Sequence, residues 1–196
     1  MYSIIDVETT GGKFNEEGIT EIAIYKFDGN NIIDQFISLV NPDKPVQPFV
    51  QQLTGINDKM LVNAPKFYQI AKRILEITDN TILVAHNSSF DYRMLKTEFD
   101  RLGYNYKISQ LCTVNLSKKL IPAMDSYKLG NLAKSLGISI SNRHRASGDA
   151  LATVELFKIL LVKDIDKEIL NKLIIKDVYP ETDDCCSIAF EVPEHL

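Results

Sequence analysis

The segment Ser3-Ile4-Ile5-Asp6-Val7-Glu8 runs into the turn-forming Thr9-Thr10-Gly11-Gly12, and this pattern predicts an N-terminal β-strand. Side chains alternate between the two faces of a strand, so Asp6 and Glu8 share one face, with their Cα atoms roughly 6.5–7 Å apart. Acidic residues are depleted in strands, and carboxylates this close repel each other unless a positive charge neutralises them. The pair therefore indicates either a divalent-cation site or an exposed edge strand with two solvated acids.

Four further strands and a series of helices are predicted along the rest of the chain. Segments 21–27 and 32–40 are joined by a short turn, which predicts an antiparallel meander with the first strand. Segment 81–85 is apolar without alternation, as expected of a strand covered on both faces, and 107–112 would be the last strand. This order predicts an α/β fold with a mixed sheet of about five strands. Helices are predicted over 46–53, 64–78, 88–102, 113–120, 128–136, 148–161 and 165–175.

The overall charge restricts the function in one respect. The 196 residues carry a net charge of −4, whereas proteins that hold nucleic acid by charge alone are usually basic. An enzyme whose acidic groups bind divalent cations escapes this objection, because the metals reverse the local sign of the charge. The composition therefore permits a nuclease without indicating one.

The length suits a single domain with a sizeable core, which we place at residues 1–176, followed by a tail or linker at 177–196. No apolar run is as long as a membrane span and no secretory leader is visible, so we expect no membrane association and a cytoplasmic location. Cys112, Cys185 and Cys186 lack metal-ligand or framework spacing, which fits a reducing compartment. Cys185 and Cys186 are either core residues of a capping strand or reactive thiols, and the former is more common.

A second polar segment, His86-Asn87-Ser88-Ser89-Phe90-Asp91, follows the buried strand directly. Ser88 could cap the next helix while Asp91 satisfies amides of its first turn. The start of a helix after a buried strand is also where α/β folds bind ligands. Taken alone, Asp91 is better explained as a capping residue.

A third segment, His144-Arg145-Ala146-Ser147-Gly148-Asp149, precedes an amphipathic helix. Residues five apart on one helix are rotated by roughly 140°, so His144 and Asp149 would diverge if both were helical. They converge only if His144 lies on the loop and Asp149 in the first turn, and Ser147-Gly148 is a suitable break. Alternatively, a solvated histidine stands near an aspartate that complements the helix dipole.

In combination and in this order, the three segments resemble the motifs of the DEDDh exonucleases, a superfamily that includes the proofreading ε subunit of bacterial DNA polymerase III, RNase T and oligoribonuclease. Asp6 to Gly11 resembles the first motif, His86-Asn87 with Phe90-Asp91 the second, and His144 with Asp149 the third. Leu53-Thr54-Gly55-Ile56 resembles a further family segment that contacts the terminal nucleotide. Where another subclass has a tyrosine, four residues before the last aspartate, this chain has Arg145, so it resembles the histidine subclass.

The resemblance implies an RNase H-like three-layer fold and a hydrolysis that uses two divalent cations, Mg²⁺ or Mn²⁺. Hard oxygen ligands suit these ions, and His144 would be the general base. Thr9, Thr10 and Gly11 would bind the terminal sugar and phosphate, and Gly55 and Ile56 the terminal base, while Phe90 is either a core residue or a base platform. The implied metal ligands are Asp6, Glu8, Asp91 and Asp149, which together with His144 make up the catalytic set.

The resemblance to the ε branch favours a single-stranded or frayed 3′ end of DNA as the substrate, in proofreading or repair. An RNA-trimming exonuclease would share the motifs, because the contacts to the 2′-OH that separate the two lie elsewhere. A non-catalytic docking module of a polymerase or nuclease assembly is the third hypothesis. It is disfavoured because all five catalytic positions are intact. A DNA polymerase or a fused C-terminal domain is the expected partner.

Overall fold

The computed structural model describes residues 1–177 as a mixed β-sheet with helices on both faces. The strands are β1 (Tyr2–Thr9), β2 (Ile19–Phe27), β3 (Ile32–Leu39), β4 (Ile82–Ala85) and β5 (Gln110–Cys112). The helices are α1 (Pro48–Thr54), α2 (Asp58–Leu61), α3 (Phe67–Thr78), α4 (Ser88–Arg101), α5 (Thr113–Leu120), α6 (Leu129–Ser135), α7 (Ala146–Lys163) and α8 (Glu168–Leu173).

The sheet has the strand order β3-β2-β1-β4-β5, with β1 at its centre. The predicted meander is confirmed, because β1 pairs antiparallel with β2 and β2 antiparallel with β3. Strand β4 runs parallel to β1, and β5 runs parallel to β4. The predicted mixed α/β sheet of five strands is therefore confirmed, and the carboxyl ends of β1, β4 and β5 meet at one edge.

The two faces of β1 belong to different hydrophobic cores. Ile5 and Val7 pack in a core with residues of α3 and α4. Ile4 packs in the other core, with Ala150, Val154 and other residues of α7. Because side chains alternate along the strand, Asp6 and Glu8 continue the row of Ile4 on the side of α7. The structure thereby confirms that the two acids share one face.

Several elements differ in extent from the sequence prediction. Strand β5 is shorter than predicted because only three of its residues pair with β4, and α7 begins at Ala146, two residues earlier than predicted. Helix α2 was not predicted, and α8 is shorter than 165–175. Most of the predicted tail, 178–196, lies outside the described residues, and so do Cys185 and Cys186. No described helix is long and apolar enough to cross a bilayer.

The loop before α7 packs directly on the first turn of that helix at Gly148. A Cβ atom added to Gly148 would lie 2.0 Å from the carbonyl oxygen of Ser141 and 2.5 Å from that of Asn142. Neither backbone oxygen can move without shifting the loop. The hydrogen side chain of Gly148 is therefore required for this contact, which fixes the loop bearing His144 against α7.

We predict that Gly148→Ala lowers the free energy of unfolding by about 1–3 kcal/mol, because the added methyl group overlaps fixed backbone. Gly130→Ala is the matched control. Its Cβ would meet only the guanidinium of Arg143, at 2.5 Å, which is the end of a flexible side chain. Chemical denaturation of both variants measures the difference. Equal stability of the two variants would contradict the packing role of Gly148.

Candidate active site

Three carboxylates converge at the edge of the sheet where β1 ends. Asp6, Glu8 and Asp149 each offer an oxygen atom within 4.8 Å of the others. The first two come from β1 and the third from the first turn of α7, which packs on the same face. All the atoms offered are carboxylate oxygens, the ligands that suit Mg²⁺ and Mn²⁺. The donor set therefore fits these cations.

His144 lies on the loop before α7, and Asp149 lies in the first helical turn, as the sequence prediction required. The backbone of His144 is in the left-handed region, with φ of 62°. The N–H of His144 donates to Oδ2 of Asp149 at 3.2 Å. The break in the helix is at Arg145, the residue before the first turn, instead of the predicted Ser147-Gly148. The backbone of His144 is thus held against the Asp149 carboxylate.

Asp91 reaches the same region from α4, on the opposite face of the sheet. Its Oδ1 accepts a hydrogen bond of 3.2 Å from the N–H of Val7 in β1. Ser88 is not the helix cap that was predicted, because Asn87 is the N-cap residue and Ser88 donates instead to Gln110. Asp91 is not one of the three converging carboxylates, although its charge acts on Asp6. Helices from both layers therefore deliver acids to one edge.

The environment disfavours the charged form of all four carboxylates. Burial, and then repulsion from Asp91 and Glu8, raises the pKa of Asp6 well above its usual range. Burial and repulsion from Asp149 and Glu21 raise the pKa of Glu8 to about 8. Burial also raises the pKa of Asp91 to about 8 and the pKa of Asp149 above its ordinary value. Positive charge placed among these groups would stabilise their ionised forms.

A partly buried ion pair between Glu21 and Arg145 borders the carboxylates. Glu21 stands directly opposite Glu8 in the β1–β2 register, and its carboxylate accepts two hydrogen bonds from the Arg145 guanidinium and one of 2.8 Å from the N–H of Ala146. It thereby fixes the first turn of α7, which carries Asp149. Sequence analysis missed Glu21, although an acid opening an apolar strand was a usable signal.

A pocket of about 290 Å³ adjoins Glu8 on the side of α1, and we call it the Phe49 pocket. Phe49 and Leu53 of α1 contribute exposed apolar surface, with 60% and 52% of their areas accessible. The ring of Phe49 suits stacking against a base. Leu53 belongs to the segment Leu53-Thr54-Gly55-Ile56 that was expected to contact the terminal nucleotide, whereas Phe49 was not predicted. The lining consists of Val7, Glu8, Thr9, Gly11, Gly12, Glu17, Phe49, Val50, Leu53, Thr54 and Phe90.

Three of the six predicted substrate-binding residues line the Phe49 pocket, and three do not. Thr9, Gly11 and Phe90 line the Phe49 pocket. Thr10 is buried, and its hydroxyl bonds within the loop to the N–H of Gly18 and the carbonyl of Gly11.

The other predicted base contacts lie away from the pocket lining. The side chain of Ile56 is fully buried and packs with Val46, Val50 and Leu61, so it does not reach the surface. Gly55 ends α1 with φ of 74°, a left-handed conformation that glycine adopts without strain. Leu53 of the same segment is instead exposed at the pocket, because it lies in α1, whereas Gly55 and Ile56 follow the end of that helix.

Comparison with known proteins identifies the family. Residues 3–157 match the model of the RNase_T family, described as exonuclease. The chain is 37% identical over 163 residues to the 3′-5′ exonuclease DinG of Staphylococcus saprophyticus, a match covering 83% of this chain and 18% of that protein. It is 35% identical over 162 residues to the PolC-type DNA polymerase III of Caldanaerobacter subterraneus, covering 83% and 12%. The chain thus spans less than a fifth of the length of either relative.

The fold matches that of Exonuclease X, solved in complex with 5′ overhanging duplex DNA. The TM-score is 0.67 at 29% sequence identity, and the match covers 83% of this chain and 92% of the other. The RNase H-like fold expected from the sequence is thereby confirmed. On the family match and the shared fold together, the chain belongs to the RNase_T exonuclease family.

Proposed function

We propose that this chain is a metal-dependent 3′-5′ exonuclease that releases nucleoside monophosphates from the 3′ end of DNA. The observation that carries the proposal is the convergence of Asp6, Glu8 and Asp149, whose oxygens lie within 4.8 Å of one another. A structural role does not require three acids so close, since their repulsion disfavours the folded state. A nuclease does require them, because they bind the cations that face a phosphodiester.

In the proposed mechanism Asp6, Glu8, Asp91 and Asp149 hold two cations, Mg²⁺ or Mn²⁺. Bound cations would lower the pKa of a water and offset the charge of the phosphate. His144 would accept the proton of the attacking water at an imidazole nitrogen. Glu21 and Arg145 hold the first turn of α7, and the Phe49 pocket takes the terminal nucleotide.

The DNA preference and the partner are proposed from the relatives. Exonuclease X, which shares the fold over nearly its whole length, was solved with 5′ overhanging duplex DNA. DinG and the PolC-type polymerase are several times longer than this chain. We therefore propose residues 1–176 as an exonuclease domain that works beside a polymerase or a fused domain, on a single-stranded or frayed 3′ end.

Digestion of 5′-labelled DNA and RNA oligonucleotides of one sequence, with Mg²⁺, Mn²⁺ or chelator, tests the activity. We expect a ladder that shortens from the 3′ end only when metal is present, and faster on DNA than on RNA. Faster digestion of RNA would replace the proposal with an RNA-trimming exonuclease. No digestion with either metal would favour a docking module.

His144→Ala should lower kcat by about 10²-fold or more, because the general base is lost while the ligands remain. Its affinity for Mn²⁺, measured by calorimetry, should stay close to that of the wild type. Asp6→Asn is the matched comparison and should lose both Mn²⁺ affinity and turnover. Wild-type turnover in His144→Ala would rule out its role as the base, and retained Mn²⁺ affinity in Asp6→Asn would remove Asp6 from the ligands.

The raised carboxylate pKa values predict that metal-free protein loses stability as the pH rises. The pKa of Glu8 is about 8 in the folded protein and 4.5 ordinarily, so between these values the folded state binds more protons than the unfolded state. The free energy of unfolding therefore decreases as the pH rises between about 5 and about 8. Mn²⁺ should raise the Tm more at the higher pH, where it competes with fewer protons.

Thermal denaturation with chelator and with Mn²⁺ measures both effects. Glu8→Gln is the control, and its metal-free Tm should depend less on pH because the amide does not titrate. An equal Tm gain from Mn²⁺ at both ends of this pH range would count against the carboxylates as metal ligands.

A further inference from the structure

A second cavity lies along the same edge of the sheet, beyond the carboxyl ends of β4 and β5. It has a volume of about 490 Å³. Strand β4 stands next to β1, which carries Asp6 and Glu8, and β5 stands next to β4. Because these three strands are parallel, the cavity follows the carboxylates along one edge. We call it the Lys118 cavity, and it is lined by His86, Asn87, Val114, Lys118, Asp125, Ser126, Tyr127 and Lys128.

The wall of the Lys118 cavity is fixed by His86. A backbone carbonyl can only accept, so Nε2 of His86 donates to the Tyr127 carbonyl at 2.8 Å. The Nδ1 atom lies 2.9 Å from the Thr113 hydroxyl oxygen, and burial favours the neutral ring by lowering the pKa of His86. The Tyr127 hydroxyl donates in turn to the Ile121 carbonyl at 2.8 Å. The segment before α6 is therefore held in place over the strand ends.

The charge of the Lys118 cavity is opposite to that of the neighbouring acids. Lys118 and Lys128 line it, with Asp125 as the one carboxylate. Within residues 1–177 neither lysine makes an ion pair. The side chain of Asn87 does not cap α4 and lies exposed at the cavity wall. Two ammonium groups and an amide are a donor set for anions such as phosphate.

We propose that the Lys118 cavity binds the phosphodiester backbone of the substrate strand on the 5′ side of the terminal nucleotide. This inference rests on the proposed exonuclease function. The Phe49 pocket adjoins Glu8, and the Lys118 cavity lies beyond β4 and β5 along the same edge of the sheet. A strand with its 3′ end in the pocket would therefore pass the carboxylates before it reaches the lysines. Because the chain has a net charge of −4, a local cationic site would add attraction for the backbone that the rest of the surface does not supply.

The test compares two double variants of equal net charge. Lys118→Ala/Lys128→Ala removes the cavity lysines, whereas Lys119→Ala/Lys134→Ala removes exposed lysines of α5 and α6 outside the cavity. The substrates are a thymidine dinucleotide and a thymidine strand of about twelve nucleotides, a length within the range that such grooves bind. Steady-state kinetics with Mn²⁺ give KM and kcat for each.

The cavity variant should raise KM for the longer strand about tenfold, with a much smaller effect on the dinucleotide, which is too short to reach the lysines. The control variant should keep the wild-type KM for both. For the longer strand, the logarithm of the association constant falls with the logarithm of the salt concentration. In the cavity variant this slope should be smaller in magnitude by about 1.4, because two phosphate contacts to a single strand are lost. Equal KM changes in the two double variants would overturn the proposal.

Binding of the fluorescein-labelled longer strand in chelator, measured by anisotropy, separates this inference from the proposed function. Weaker binding by the cavity variant alone supports the cavity even if no strand is cut. Cleavage by the wild type with unchanged binding and KM in the cavity variant overturns the cavity alone. If the wild type neither binds nor cleaves the strand, both proposals are overturned.

Discussion

Repulsion between partly buried carboxylates is the constraint on which the arrangement of this protein depends. Asp6, Glu8 and Asp149 converge within 4.8 Å, and Glu21 faces Glu8 across the β1–β2 ladder. Like charges directly opposite each other destabilise a sheet. Arg145 offsets one of these charges by its ion pair with Glu21, and the raised pKa values of the others mark a site that cations would stabilise. The rest of the structure holds these groups together against their repulsion.

The fold brings these acids together because the strands of its sheet end at different points. Pairing between β1 and β4 stops at Ile4, so the N–H of Val7 lies beyond the parallel ladder, and Asp91 of α4 accepts its hydrogen bond. Helix α7 supplies Asp149 from the other layer. The edge therefore presents acids at its centre, the apolar Phe49 pocket beside Glu8, and the cationic Lys118 cavity beyond β4. This distribution matches a nucleic acid strand, whose bases have flat faces that stack and whose backbone is anionic.

The sequence by itself determined the features that depend on local periodicity. Alternation along β1 put Asp6 and Glu8 on one face, and helical rotation required His144 to leave the helix that carries Asp149; the structure agrees with both. The meander and the mixed sheet of five strands also followed from local patterns, since turn residues and apolar runs fix strand ends and burial. The ordered motifs indicated the family before any contact was known.

The tertiary structure alone decided which side chains are exposed and which groups pair, because these depend on packing between segments far apart in the chain. Ile56 is fully buried, whereas Leu53 of the same motif is exposed at the pocket. Glu21 and Arg145 are 124 residues apart and meet only because α7 packs against β2. The Lys118 cavity likewise needs β4, β5 and the segment before α6 to converge. No local pattern encodes such long-range contacts.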